Sequence, residues 1–229
     1  NDVLARSFAT VTATLGRQKS RALVATGPKP SAEPTTFPQR DVDDERGLWI
    51  VAHGAAFAGP QLDIGARYLL TFLEQMGPSA KDALDLGCGT GVLAAELASA
   101  RPDLAVTASD ASDAAVRSPR ATIEANHLDG RVEVVREDGL GERPANSADL
   151  IVCNPPFHVG ATLAPDAALA MLRGGARVLR DGGELWTVFN SRLAHASALR
   201  RMVGPTEVMG DNGTFTVTRT VRTPRKSSR

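Results

Sequence analysis

Ala83-Leu84-Asp85-Leu86-Gly87-Cys88-Gly89-Thr90-Gly91 is a short apolar run that breaks into alternating glycines, and residues 92–100 behind it read as a helix. Strand, glycine turn and helix open a ligand-binding α/β unit, because glycines let the backbone turn tightly and let a ligand approach where a side chain would collide. Something flat or charged is expected to lie there. A dinucleotide fingerprint requires glycine three places after its second one, but Val92 holds that position, so NAD and FAD are disfavoured. The Gly-Lys-Ser/Thr of a phosphate loop is missing as well.

Outward from this loop, short apolar runs alternate with helical patterns. Strands are expected at 48–52, 83–86, 105–109, 132–135, 150–153 and 184–190. Helices are expected at 62–75, 92–100, 113–126, 164–179 and 193–203, with Pro119 set to kink or interrupt the third. Residues 207–209 and 215–221 read as a closing hairpin around Asp211-Asn212-Gly213. This alternation predicts an α/β fold with a mainly parallel sheet, helices on both faces and an antiparallel hairpin at the C-terminus. Trp49 and Trp186 lie in apolar strand runs and are expected in the core.

Open α/β sheets bind ligands at the carboxyl ends of their strands, so residues at those ends carry the functional reading. Asp110 closes the second strand of the unit, 19 residues after Gly91, where a carboxylate can accept both hydroxyls of a ribose. Glu137-Asp138 closes the third, where a carboxylate can accept a hydrogen bond from an adenine amine. Each acid taken alone is equally readable as a helix cap or loop residue. Directly after the fourth strand comes Asn154-Pro155-Pro156-Phe157-His158. Two prolines donate no ladder bonds and stiffen the loop, so its carbonyls point in fixed directions. A planar amino group fits such a cradle: the Asn154 side-chain oxygen and the Pro155 carbonyl accept its two hydrogens while Phe157 stacks on the ring that bears it.

The chain has 229 residues with 26 Lys+Arg and 26 Asp+Glu, which excludes a polycation that grips nucleic acid with its whole surface. The neutral sum hides a segregation. Residues 3–32 carry +5 with no acid, residues 212–229 carry +5 with no acid, and residues 33–211 carry −9. Basic ends suggest contact with nucleic acid, or serve as solvated tails. No run of about 18 apolar residues exists to cross a bilayer. The four His are scattered and no metal site is expected; Cys88 and Cys153 read as two small buried thiols of a reducing, cytoplasmic compartment.

The glycine loop, with Asp85 two places before Gly87, resembles motif I of the class I S-adenosylmethionine-dependent methyltransferases, which implies a Rossmann-like seven-stranded sheet. It implies that Gly87, Gly89 and Gly91 pack under the methionine part of the cofactor, that Asp110 holds its ribose and that Asp138 contacts its adenine, leaving S-adenosylhomocysteine as product. The Asn154-Pro155-Pro156-Phe157 tetrad is similar to the signature of amino methyltransferases, and Phe157-His158 resembles the ribosomal RNA guanine-N2 branch of the methyltransferase small domain type. His158 is a candidate for orienting substrate or phosphate, or a plain loop residue. Ala56-Phe57 followed by Leu62-Asp63-Ile64-Gly65 resembles the family's segment before motif I, which lines the cofactor pocket, although Ala58-Gly59 stands where the family has Ser-Arg. Residues 188–193 and 212–217 resemble its Asn-Arg-x-Leu segment and closing hairpin, with Ala194-His195 in place of the usual tyrosine.

The resemblance covers residues 46–222. Residues 1–45 are then expected to be the remnant of an N-terminal domain, ending in a linker that is Pro-rich from Gly27 to Pro38 and acidic from Asp41 to Glu45; residues 46–229 are expected to form the methyltransferase domain with a basic tail. The activity implied is transfer of a methyl group to the N2 amine of a guanine, with ribosomal RNA or a ribosomal subunit as partner and a monomeric enzyme. Two other readings remain open: a glutamine-amide methyltransferase of the release-factor type, whose pattern prefers Tyr at position 157, and a non-catalytic RNA-binding module of the same fold.

Overall fold

The computed structural model describes residues 2–16, 20–30, 36–54, 56–138, 140–156, 158–159, 162–163, 165–193 and 195–224. Phe157, Ala194, Gln18-Lys19 and the basic tail from Arg225 lie outside these residues, as do Ser31 to Thr35 of the expected linker. The chain forms two units, 1–36 and 37–229.

The first unit holds helix α1 (Asp2–Ser7) and an antiparallel pair, β1 (Phe8–Ala13) and β2 (Leu23–Pro28). None of its described residues is buried. It is held by backbone ladder bonds and by Lys29, whose Nζ donates to the Ala5 carbonyl at 2.7 Å.

The second unit begins with a hairpin, β3 (Gln39–Asp43) and β4 (Leu48–Ala52), then helix α2 (Ile64–Leu70) and a single 3-10 turn at Leu73–Gln75. Residues 39–43, a linker by composition, are thus a strand. Its last residue, Asp43, is buried and bonds Arg67 of α2, a pairing 24 residues distant that local composition does not reveal. The α/β body follows as β5 (Asp82–Leu86), α3 (Val92–Ala100), β6 (Ala105–Asp110), α4 (Ala114–Ala125), β7 (Val132–Arg136) and β8 (Ala148–Cys153). After two-residue strands β9 (His158–Val159) and β10 (Thr162–Leu163) come α5 (Pro165–Val178), β11 (Leu179–Asn190), α6 (His195–Met202), β12 (Thr206–Asp211) and β13 (Phe215–Val221).

Seven strands make one sheet in the order β12-β13-β11-β8-β5-β6-β7. The pairs from β11 to β7 are parallel, and β13 runs antiparallel to both β11 and β12, as the α/β reading requires. Central strands such as Ala148–Cys153 are buried almost throughout, because helices cover both faces. Leu150, Val152, Trp186 and Val188 pack on one face with α2 and α3, whereas Ile151, Cys153, Leu185 and Phe189 pack on the other with α5 and α6. This period of two places Trp186 in the core, but it turns Trp49 outward on the edge hairpin, where it is 41 % exposed with the Arg40 guanidinium 5.5 Å above its ring. The basic C-terminus is partly spent inside the fold. Arg219 makes a two-pronged bond to buried Glu184, and Arg222 donates to the Leu179 carbonyl and pairs with Asp181.

The order of strands reverses between β5 and β8. β6 and β7 extend from one side of β5, and β8 and β11 from the other, so the loops leaving β5 and β8 diverge and open a crevice. In register, Leu86 stands beside Cys153 and Ser109, which puts the glycine loop and Asn154 at neighbouring strand ends.

Candidate active site

A cleft of about 860 Å³ lies over those strand ends. Phe57, Gly87, Gly89, Asp110, Asp138, Asn154, Pro155 and Pro156 all line it. Asp85 and Gly91 do not; they support the loop from beneath.

The glycine loop is closed by its own amides. Gly87 and Cys88 donate to the Ser109 carbonyl at 2.9 and 3.0 Å, and Gly91 donates to the Cys88 carbonyl at 2.7 Å. Gly91 caps α3 without a side chain to satisfy the first-turn amides, and Asp85 supplies the missing acceptor by taking the Ala94 N–H on Oδ2 at 3.1 Å. Gly91 also has φ +79°, and a Cβ there would fall 2.5 Å from Pro119 Cβ. The glycine is therefore required for α4 to lie against the loop. Helix α4 runs through Pro119 without interruption. The carbonyl of Ala115, which the proline nitrogen cannot bond, accepts the Cys88 thiol at 3.5 Å.

Asp85 is fully buried, and its Oδ1 has no partner. Burial pushes its carboxyl up to about 7; the Ala94 amide opposes that rise and the nearby Asp110 charge adds to it. Burial likewise pushes the Cys88 and Cys153 thiols up, so both are inert apolar groups. At the end of β6, Asp110 accepts Gly89 N–H on Oδ2 at 3.2 Å and Ser112 N–H on Oδ1 at 3.0 Å. These bonds fix the carboxylate at the cleft wall while leaving lone pairs for further donors. Of the next pair, Glu137 bonds Arg143 at 2.6 Å, whereas Asp138 is exposed to the cleft.

The end of β8 is built differently. Asn154 donates from Nδ2 to Asp63 Oδ2 at 2.8 Å, and its own Oδ1 has no partner. Pro155 is buried behind it and Pro156 is exposed. His158 lies on β9, whose backbone pairs with Leu163 of β10.

Two further features complete the site, and the first of them has no local sequence signal. The first is a ladder of side chains on α4 that caps the free edge of β4. Asn126 exchanges bonds with the Trp49 backbone, Thr122 with that of Val51, and Ser118 accepts from His53 N–H at 2.9 Å. Positions 118, 122 and 126 share one helix face and alternate strand residues share one edge, so the two repeats run in step. This holds the strand that leads to Phe57, which is 70 % exposed at the cleft. The second is the far wall, made by Asn190, Arg192, Leu193 and Phe215. Among the described residues no group of His, Cys, Asp and Glu is arranged to hold a metal, and no helix is long and apolar enough to cross a membrane.

Residues 47–219 match the family model "Methyltransferase small domain". The chain is 39% identical over 182 residues to a "Ribosomal RNA large subunit methyltransferase G" of Streptomyces coelicolor, covering 80% of this chain and 48% of that protein. It is 40% identical over 178 residues to a "Ribosomal RNA small subunit methyltransferase C" of Salmonella newport, covering 77% of this chain and 50% of that one. The chain thus spans about half the length of these curated relatives. Among solved structures, a Thermus thermophilus 16S rRNA N2 G1207 methyltransferase in complex with AdoMet and guanosine superposes with a TM-score of 0.76 at 24% identity, covering 95% of this chain and 59% of that one. With its sheet order, its glycine loop and this match over most of its length, the chain belongs to the methyltransferase small domain family.

Proposed function

We propose that this chain uses S-adenosylmethionine to methylate the exocyclic N2 amine of a guanine in ribosomal RNA. The observation that carries this reading is the pairing of the glycine loop and Asp110 with Asn154 at adjacent strand ends of one cleft. The names of the relatives support the RNA substrate, and the cleft supports the cofactor: Gly89 has open space beside it, and Asp110 is held with acceptor capacity to spare.

In this reading Gly87 and Gly89 admit the cofactor close to the backbone, Asp110 accepts its ribose hydroxyls and Asp138 its adenine amine. Bound there, S-adenosylmethionine supplies a methyl group on a positively charged sulfur. Asn154 Oδ1 and the Pro155 carbonyl accept the two hydrogens of the guanine amine and hold its nitrogen in line for attack. Held there, the amine nitrogen would face the methyl group that the cofactor supplies, and the proton it loses on methylation would pass to water. No side-chain base is needed, because the amine becomes acidic as it is methylated; orientation contributes most of the rate. The base must be unpaired or flipped out to reach the cleft.

Methyl transfer from tritium-labelled cofactor to ribosomal RNA tests the proposal. Asn154→Ala is expected to lower the rate by about 100-fold or more, in line with the loss of a positioning group. An undiminished rate in that variant sinks the assignment.

A further inference from the structure

The Asn154 amide is the group on which the proposed chemistry turns, and its orientation is set by a residue 91 positions earlier. Asp63 Oδ2 accepts Asn154 Nδ2 at 2.8 Å and, on the same oxygen, the Ala66 N–H at 3.0 Å. A carboxylate can only accept, so the amide edge facing it must be the NH2, and the carbonyl edge is turned away. That Oδ1 is buried without a hydrogen-bond partner, a costly state for a protein to maintain in the absence of a donor.

Gly65 completes the arrangement. A Cβ at that position would stand 3.0 Å from Asp63 Oδ2 and 3.4 Å from Asn154 Oδ1, so it would crowd both side chains, and glycine leaves them room to meet. The Asp-Ile-Gly triplet at 63–65 thereby serves two purposes: Asp63 caps α2, and it reaches past the bare Gly65 to the strand end.

We propose that Asp63 is a positioning residue that locks the Asn154 amide with its oxygen presented to the substrate amine; the inference rests on the methyltransferase reading above. Without the carboxylate the amide is free to turn over, and its NH2 would then meet the amine NH2, donor against donor. The negative charge behind Nδ2 also polarises the amide and strengthens Oδ1 as an acceptor.

The test separates the cap from the lock. Asp63→Ser keeps a side chain that caps α2 but is too short to reach Asn154, with Asp63→Thr as a second capping variant should the serine protein melt early. Asp63→Asn retains both reach and an acceptor oxygen. The serine variant is expected to lose about tenfold or more in kcat, with KM for ribosomal RNA, Kd for S-adenosylmethionine and melting temperature little changed, while the asparagine variant recovers most of the rate. A folded serine variant with wild-type kcat overturns the proposal.

A second readout needs no turnover. The side-chain NH2 of Asn154, observed by nitrogen-15 NMR in the full chain, is expected to exchange slowly with water in the wild type and in Asp63→Asn, and faster in Asp63→Ser. Equal exchange in all of them overturns the lock. A wild-type chain that binds cofactor but methylates no ribosomal RNA refutes the functional reading instead, and the NMR contrast then still decides whether Asp63 holds the amide.

Discussion

The glycine loop after β5 and the Asn-Pro-Pro turn after β8 leave adjacent strands at the same level of the sheet, yet they treat their polar groups in opposite ways. In the loop, the amides of Gly87, Cys88, Gly89 and Gly91 are all spent on acceptors within the protein. Its contribution to a ligand is shape, a gap where side chains are missing. In the turn, one edge of the Asn154 amide is tied to Asp63 and the other is left without a partner. Its contribution is a directed acceptor. A rigid cradle beside an unsatisfied group suits a cofactor that must be held still and a substrate that must bring its own donors.

The largest effect expected from breaking this contrast lies under the loop. Asp85 has its carboxyl raised from 3.8 to about 7, chiefly by burial, so between those values the folded chain holds a proton that the unfolded chain has released. Stability from this group is full below pH 3.8 and is lost as pH rises toward 7, by roughly 4 kcal/mol at about 1.4 kcal/mol per unit. Asp85→Asn keeps an acceptor for Ala94 and has no proton to lose. Its stabilising effect in denaturant titrations is therefore expected to grow across that window, and a difference that stays flat with pH would refute the account.

Next in size is a double dissociation between the two strand ends. Asn154→Ala is expected to lower the rate of transfer by about 100-fold or more, whereas Asp110→Ala is expected to weaken S-adenosylmethionine binding in calorimetry by roughly 10- to 100-fold, the worth of hydrogen bonds to a charged group. Unchanged binding in Asp110→Ala would instead favour a non-catalytic module. The glycines then divide among themselves. Gly91→Ala drives a methyl into Pro119 at positive φ and is expected to cost about 2–4 kcal/mol of stability. Gly89→Ala meets nothing within 4 Å, so it is expected to cost only about 1 kcal/mol, from backbone strain, while still obstructing the cofactor. Equal melting temperatures for these two variants would mean that the loop does not lean on α4.

Much of this was legible before any coordinates. The strand at 48–52, the helix at 92–100 and the closing hairpin coincide with β4, α3 and the β12–β13 pair, because apolar periodicity and turn residues act over a few positions. The cleft-lining residues at strand ends were legible for a related reason: in an open parallel sheet, the end of a strand is a place in space as well as in sequence. What escaped notice depends on partners far along the chain. Strand β3 pairs with its hairpin neighbour β4, but its polar, acidic composition reads as linker, and the burial of Asp43 depends on the distant Arg67; the exposed face of Trp49 follows from β4 sitting at an edge capped by α4. The +5 of the C-terminal stretch overstated its reach, since Arg219 and Arg222 are bonded to Glu184 and Asp181 within the sheet region.

The division has one physical origin. Sequence alone determined the α/β alternation, the glycine turn, the acid at the end of β6 and the stiff Asn-Pro-Pro corner, all of which follow from backbone conformational preferences and hydrogen-bonding chemistry of neighbouring residues. Only the tertiary structure decided which oxygen of the site stays unpaired. Whether Asn154 presents an acceptor or a donor depends on Asp63, brought to it by the packing of α2 against the sheet, and a hydrogen bond across 91 residues leaves no trace in local pattern.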